Sequence, residues 1–284
     1  MFQYAFALAV RKKTGERVVL DRNWFPEFGG TLRNAVPREF GLGVYRLSID
    51  EYVGREVSNR VVYGDGVLGK VREFLHYRPG LLREGRCDLR LDSLGKYAGR
   101  DYVMRGFFQK VAYPEYVRDE LLTEFRVNED MLNAQNRELL AQIAACGDAA
   151  VFAHVRRGDY TLESTRRIFG LCSLDYYARA EKMIAERIGV TPHLFVFSDD
   201  MEWVRANYRS DFPLTYVDIN SGNKPYLDIN LMRSCRHGIT ANSTFSWWGA
   251  WLIENPNAVV VSPEQWYASS CSADGLRPER WLLA

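Results

Sequence analysis

Ala149-Ala150-Val151-Phe152-Ala153-His154-Val155-Arg156-Arg157-Gly158-Asp159-Tyr160 is an apolar run that ends in two adjacent arginines, a glycine and a carboxylate. A run of this kind, bounded by polar turn residues, predicts a buried strand. It brings both guanidinium groups out at the strand's carboxyl end, where open α/β sheets hold their ligands. That location suits a bound anion. Successive side chains of an extended backbone point to opposite sides, so one arginine can face a ligand while the other anchors the loop. A second reading stays open: Arg156 and Arg157 pair with Asp159 and neighbouring acids in a structural network. His154 reads either as part of the site or as a hydrogen-bonded core histidine, the commoner state of a lone His.

Outward from this strand, the rest of the second half repeats one grain. Apolar runs at 193–197, 214–217, 238–241 and 258–261 join the run at 151–155, and helical segments at 173–188, 201–208, 225–236 and 243–254 lie between them. Such alternation predicts βαβ units, a parallel sheet covered on both faces, and ligands at the carboxyl ends of its strands. The first half is less regular. It opens on a helical stretch at 2–10 that stops near Gly15, followed by a strand at 17–20. Residues 21–100 are rich in Gly, Arg and Pro, which predicts loops and short helices, and a strand at 101–108 and helices at 115–125 and 129–146 complete it. The organisation expected is therefore two domains, 1–147 and 148–284.

Composition narrows the partners. A 284-residue chain with 47% hydrophobic residues can bury two compact cores. A net charge of +1 provides no general basic field, which argues against wrapping of nucleic acid and makes any anion site local. Cys87, Cys146, Cys172, Cys235 and Cys271 are odd in number and contain no Cys-x-x-Cys pair, so a disulfide framework or zinc knuckle is not expected and a reducing compartment is. No apolar run reaches the roughly 18 residues of a membrane span, and no signal peptide is visible; a soluble chain is expected.

A second constellation lies in Ile239-Thr240-Ala241-Asn242-Ser243-Thr244-Phe245-Ser246-Trp247-Trp248-Gly249-Ala250-Trp251-Leu252. A strand feeding Asn-Ser-Thr and then an apolar helix puts hydroxyl and amide groups at a helix start, where unpaired N–H groups and the dipole favour phosphate. Alternatively, Asn242 or Ser243 merely caps a buried helix whose tryptophans are core. The same sheet end carries both constellations, which favours a shared ligand. Asp199-Asp200 follows a strand, and Asp199 with Glu202 spells a helix capping box. An Asp-x-Asp metal motif would need a spacer this pair lacks, so no metal is expected. Asp228 sits among apolar residues near a helix start, either as a dipole partner or as a buried acceptor, and a carboxylate there suits the paired N–H donors of guanine.

The His154-Val155-Arg156-Arg157-Gly158-Asp159 segment resembles the His-x-Arg-Arg-x-Asp signature of GDP-fucose-dependent fucosyltransferases. Together with residues 242–252, Phe2-Gln3-Tyr4-Ala5 and Gly106-Phe107-Phe108-Gln109, it resembles the bacterial α-1,2-fucosyltransferase family in particular. The Arg-Arg signature alone is shared with α-1,6- and protein O-fucosyltransferases and does not choose the linkage. The resemblance implies a GT-B architecture, two Rossmann-like domains facing a cleft, with GDP-fucose on the second and the acceptor on the first. It implies an inverting galactoside 2-α-L-fucosyltransferase of surface glycan synthesis that needs no metal or other cofactor. Its partners would be GDP-fucose and a galactose-terminated oligosaccharide or lipid-linked glycan, at a cytoplasmic location with loose attachment to the inner membrane left open.

By position, the resemblance makes Arg156 the diphosphate ligand, His154 and Asp228 nucleoside contacts, and Asn242, Ser243 and Thr244 donor-side groups at the helix start. Arg157 and Asp159 hold the loop, Gln3 and Gln109 lie on the acceptor side, and Asp159 and Glu163 are the two candidates for the general base. Family members carry Gly-Gly-x-Gly-Asn-Gln just before Phe-Gln-Tyr-Ala, whereas this sequence starts at Met1-Phe2. The first strand and its glycine-rich loop are therefore expected to be missing, through a late start assignment or in a degraded, GDP-binding remnant. Phe108 replaces the tryptophan more usual in the Gly-Tyr-Trp-Gln segment.

Overall fold

The computed structural model describes residues 1–22, 25, 39–52, 80–220, 222 and 224–284. The chain forms two compact units, Met1–Phe125 and Arg126–Ala284.

In the first unit, helix α1 (Phe2–Thr14) buries Phe2 and every residue from Tyr4 to Val10. Its length follows from that apolar run, and Gly15 ends it in the left-handed conformation at φ 71° with its N–H donating to the Arg11 carbonyl. Phe6 stacks on Phe108 at 3.8 Å between ring centres and meets Tyr113 edge-on. Two short parallel pairs follow, β1 (Val19–Asp21) with β2 (Asp50–Tyr52) and β3 (Leu81–Arg83) with β4 (Val103–Arg105). Strands β2 and β3 fall where loops and short helices are expected from sequence, and residues 23–24, 26–38 and 53–79 of that stretch lie outside the described residues.

The strand expected at 101–108 is cut short because the Glu84 carboxylate accepts the N–H groups of Phe107 and Phe108, both at 2.8 Å, and turns the chain. The helix expected at 115–125 is two, α2 (Ala112–Tyr116) and α3 (Arg118–Glu124), broken at Val117 (φ −123°, ψ 36°). Pro114 fits the first turn of α2, where its missing N–H has no intrahelical partner to lose.

The second unit begins earlier than the 147/148 boundary read from sequence. Helix α4 (Ala134–Cys146) packs on β5 (Ala150–Val155) and on α8 (Pro225–Ser234), so its contacts lie with the second core. The expected start at 129 is taken by a separate 3₁₀ turn, Glu129–Met131, and Asn133 caps α4 by accepting from the Asn136 N–H at 2.8 Å. The remaining elements are α5 (Glu163–Phe169), α6 (Leu174–Ile188), β6 (His193–Ser198), α7 (Met201–Asn207), β7 (Leu214–Val217), β8 (His237–Ile239), α9 (Thr244–Trp251), β9 (Val260–Ser262) and β10 (Leu282–Leu283), and from α6 to β9 helices and strands alternate as expected.

These strands form one parallel sheet in the order β10-β9-β8-β5-β6-β7. The strand quoted first above is thus central, with all six of its residues buried. Val151, Ala153 and Val155 pack with Tyr176, Tyr177, Ala180 and Ile184 of α6 in the core beneath one face. Phe152 lies against Gly238, where an added Cβ would sit 2.2 Å from its ring, so close strand contact requires glycine there. Helix α5 and the two-residue strand β10 have no counterpart in the sequence expectation.

Candidate functional site

The carboxyl end of β5 presents Arg156 and Arg157 to different partners, as the alternation of an extended chain requires. Arg157 turns into the loop: its Nε pairs with Asp200 at 3.0 Å and its guanidinium lies 3.6 Å from the centre of the Trp203 ring. Its backbone N–H donates to Asp199 at 2.8 Å. Arg156 sits between Asp159, 2.5 Å from Nη2, and Asp199, 2.9 Å from Nη1, and lies over the Tyr160 ring. The structural network left open from sequence is therefore present. Yet it spends only part of a five-donor guanidinium, and the buried Nε of Arg156 has no hydrogen-bond partner among the described residues.

Asp199 has a different task from the one the capping-box reading assigns. Asp200, not Asp199, caps α7 by accepting from the Trp203 N–H, and Asp199 reaches back to clamp the arginine loop. Gly158 makes this clamp fit, because a Cβ there would come within 2.2 Å of Asp199 Oδ2. The signal was present in the sequence as two acids in a row at a strand end, one for the helix and one for the neighbouring loop.

Beside β5, β8 delivers the second constellation at the same end of the sheet. Ser243 caps α9, its Oγ accepting from the Phe245 N–H at 3.3 Å, and Thr244 is half-buried at the helix start. Asn242 is buried and its side chain is turned inward. Its Nδ2 donates to the carbonyls of Phe169 (2.7 Å) and Trp266 (3.1 Å), and Cys172 donates to its Oδ1 at 3.5 Å. A buried amide with both its donors and its acceptor engaged acts as a brace between Phe169, Trp266 and Cys172. The tryptophans of α9 are core, with Trp247 Nε1 donating to Leu276 at 2.8 Å.

Tyr160 links the two constellations. Its hydroxyl donates to the Asn242 carbonyl at 3.2 Å while its ring supports Arg156, and burial pushes its pKa up to about 12. His154 adds a second link: its imidazole lies 5.4 Å from the Phe245 ring of α9. The imidazole is buried and its pKa is pushed down to about 3, by burial first and by the Arg156 charge second, so it is neutral. Its Nδ1 has no hydrogen-bond partner among the described residues, which sets it apart from an ordinary satisfied core histidine.

Asp228 stands in the first turn of α8, whose start, like that of α9, lies at the carboxyl end of the parallel sheet. Asn220 donates to its Oδ1 at 2.8 Å, and burial together with the nearby Asp218 pushes its pKa up to about 6 against that hydrogen bond. No cation pairs with it among the described residues.

The other expected residues stand apart. Glu163 opens α5 on an exposed face, ion-paired with Arg167. In the first unit, Gln3 donates to the Gly106 carbonyl at 2.9 Å, and Gln109 is half-buried just beyond the turn that Glu84 holds. Glu84 is the residue of that turn the sequence did not flag. Asp199 and Asp200 are committed to arginines, and among the described residues no three His, Cys, Asp or Glu side chains gather in a metal-holding group. No helix of the described residues is long and apolar enough to cross a membrane.

A parallel sheet whose central strand ends in a clamped arginine, beside a helix start capped by Ser243, defines an α/β domain with the open-sheet edge at which such folds commonly hold anions. The sequence matches the Glycosyl transferase family 11 profile over residues 86–282, and the chain belongs to that family of glycosyltransferases. It is 31% identical to the O-antigen biosynthesis glycosyltransferase WbnK of Escherichia coli, covering 99% of this chain and 95% of that one. It is also 32% identical to an alpha-1,2-colitosyltransferase of Escherichia coli, over 99% and 93% of the two chains. The human galactoside alpha-(1,2)-fucosyltransferase 1 is 28% identical over 52% of this chain and 42% of its own length. The family implies a nucleotide-sugar donor and a glycan acceptor, and the resemblance read from the four motifs above holds.

Proposed function

We propose that this glycosyltransferase moves L-fucose from GDP-β-L-fucose to the 2-hydroxyl of a terminal galactose, with inversion at the anomeric carbon, in the synthesis of a surface glycan. The observation that carries the proposal is Arg156, clamped by Asp159 and Asp199 beside the start of α9 through Tyr160. Breaking the sugar–phosphate bond leaves an oxocarbenium-like sugar and adds negative charge to the departing diphosphate. A cation and N–H dipoles already oriented toward that charge stabilise the transition state more than the substrate. On this reading Arg156 and the α9 start supply the positive field, with no metal required; His154 and Asp228 take the nucleoside.

Asp159 touches the guanidinium meant for the leaving group. Inversion brings the acceptor from the opposite face of the sugar, so Asp159 orients Arg156 and is badly placed to deprotonate the acceptor. Glu163 is then the remaining candidate base from the sequence. Gln3 and Gln109 belong to the acceptor side, and the enzyme works in the cytoplasm, with peripheral contact at the inner membrane where the acceptor is lipid-linked.

A second reading has its own support in the likeness to the colitosyltransferase. Colitose is fucose without its 3-hydroxyl, so the same phosphate and nucleoside contacts serve both donors. The deciding experiment offers GDP-fucose and GDP-colitose in parallel to the purified protein with a β-galactoside acceptor, measures GDP release and determines the linkage by NMR. An α-1,2-fucosylated galactoside is the expected product. Hydrolysis without transfer, or nucleotide binding without turnover, overturns the assignment.

A further inference from the structure

Asp228 is the only nucleoside contact proposed above whose orientation depends on a polar chain of its own. Asn133, Asn136 and Asn220 form that chain. Asn136, buried on α4, donates through Nδ2 to Asn133 Oδ1 at 2.9 Å and to Asn220 Oδ1 at 2.8 Å. Asn220 returns a bond from Nδ2 to Asn136 Oδ1 at 3.1 Å and donates from the same nitrogen to Asp228 Oδ1 at 2.8 Å. The carboxylate can only accept, so it fixes which way the Asn220 amide points, and the reciprocal Asn136–Asn220 pair fixes the amide plane. The chain runs from the cap of α4 to the first turn of α8 and ends on a single oxygen of Asp228. Among the described residues no other side chain donates to Asp228, so Oδ2 and the second lone pair of Oδ1 are available to another donor.

We infer that Asn220, backed by Asn136, is a positioning residue that sets the plane of the Asp228 carboxylate for two-point recognition of a purine carrying adjacent N–H donors, and so sets nucleobase selectivity. The inference rests on the reading of Asp228 as a nucleobase contact and deepens it. Guanine offers N1–H and a 2-amino group to one carboxylate. Hypoxanthine offers N1–H alone, and adenine offers no such pair and places a ring acceptor against the acid. Two-point recognition demands that both carboxylate oxygens be aimed at once, which a freely rotating aspartate achieves only at an entropic cost. Asn220 removes that freedom before the ligand arrives. A helix cap alone would not need it: Asn133 already caps α4, and the Asn136–Asn220 pair extends away from that cap toward α8.

The test compares dissociation constants of GDP, IDP and pyrophosphate for the full-length protein, Asn220→Ala, Asn136→Ala and Asp228→Asn. The unaltered protein should prefer GDP to IDP. Asn220→Ala should weaken GDP about tenfold and bring the GDP-to-IDP ratio toward one while pyrophosphate binding holds, and Asn136→Ala should do the same to a smaller degree. A ratio that stays at the starting value in Asn220→Ala but collapses in Asp228→Asn overturns the positioning role and leaves the nucleobase contact standing. A ratio untouched by Asp228→Asn overturns both. An equal loss of all three ligands in Asn220→Ala assigns the amide chain to the fold and also overturns the inference.

Discussion

Charge is handled in opposite ways at the end of β5 and at the start of α8. At the end of β5 two arginines meet three carboxylates, and the ion pairs tie the ends of two neighbouring strands to each other. At the start of α8 a carboxylate is held by the Asn220 amide, with no cation paired to it among the described residues, and its pKa rises to about 6. The first region is compensated before any ligand binds; the second is not. A half-buried carboxylate without a cation partner is costly to a fold, and its place at the carboxyl end of the sheet is the pattern of a group kept for recognition. The arginine cluster, by contrast, sets geometry: three carboxylates around two arginines aim Arg156 and leave the cluster without net positive charge.

The largest effect should come from breaking the compensated side. Arg156→Ala removes the cation proposed to face the leaving diphosphate and should cost about 3 kcal/mol of barrier, or at least a hundredfold in turnover. Arg157→Ala should instead act on stability, because that side chain is stacked on Trp203 and pinned to Asp200. Steady-state transfer assays and thermal melts on both variants separate the roles. Near-normal turnover in Arg156→Ala would sink the site as drawn.

The uncompensated side should respond with the opposite sign in stability. Asp228→Asn keeps an acceptor for Asn220 but discards the half-buried charge, so above pH 7 it should raise stability by about 2 kcal/mol while donor affinity falls at least tenfold. The sign follows from linkage. A carboxyl whose pKa is 3.8 in the unfolded chain and about 6 in the folded one favours the folded state at low pH and loses that contribution as pH rises through about 6. The gain in Asp228→Asn should therefore shrink toward pH 4. Donor binding needs the ionised form, so affinity for GDP-fucose should weaken as pH falls below about 6 in the unaltered protein and stay flat in the variant. GDP-fucose is the right ligand because its diphosphate, esterified at both ends, does not titrate there.

The two regions were also unequally legible. The run into Arg156-Arg157 and the apolar stretches at 193–197 and 214–217 are β-rich segments at βαβ spacing, so period and length sufficed to place a buried parallel sheet. The start of α9 was legible for the same reason, but the side to which Asn242 turns depends on Phe169 and Trp266, remote in sequence and invisible to local pattern. Asp199 was misread because a capping box is a local rule and the clamp on Arg156 is a contact across strands. The amide chain behind Asp228 joins residues 84 apart, beyond any motif. In the first unit the strands are three residues long, too short to imprint a period, and β4 ends early only because Glu84 captures two amides.

A milder probe of the compensated side leaves every charge in place. Gly158→Ala would drive a Cβ to 2.2 Å from Asp199 Oδ2, so the carboxylate must withdraw from Arg156 and from the Arg157 N–H. Several-fold lower turnover and a loss of about 1–2 kcal/mol in denaturant unfolding are expected. If Gly158→Ala slows transfer while Asp199→Ala does not, the glycine matters for backbone reasons and the clamp does not orient Arg156.

The smallest effect expected is at Glu163, and it sharpens where the compensated cluster ends. Glu163 is highly exposed, and its partner Arg167 lies one turn along the same short helix. Such a pair contributes about 0.3–0.5 kcal/mol, so Glu163→Gln should leave the melting temperature nearly unchanged. A general base gains strength from exclusion of water, and among the described residues this side chain stands open to solvent. If acceptor binding does not bury it, Glu163→Gln should change turnover less than threefold, and the proton would then leave the acceptor hydroxyl late, to solvent or to another carboxylate. A loss beyond a hundredfold with GDP affinity retained would make Glu163 the base and show that the acceptor itself desolvates it. Assaying the variant on both a small β-galactoside and a longer glycan shows whether acceptor length decides between these outcomes.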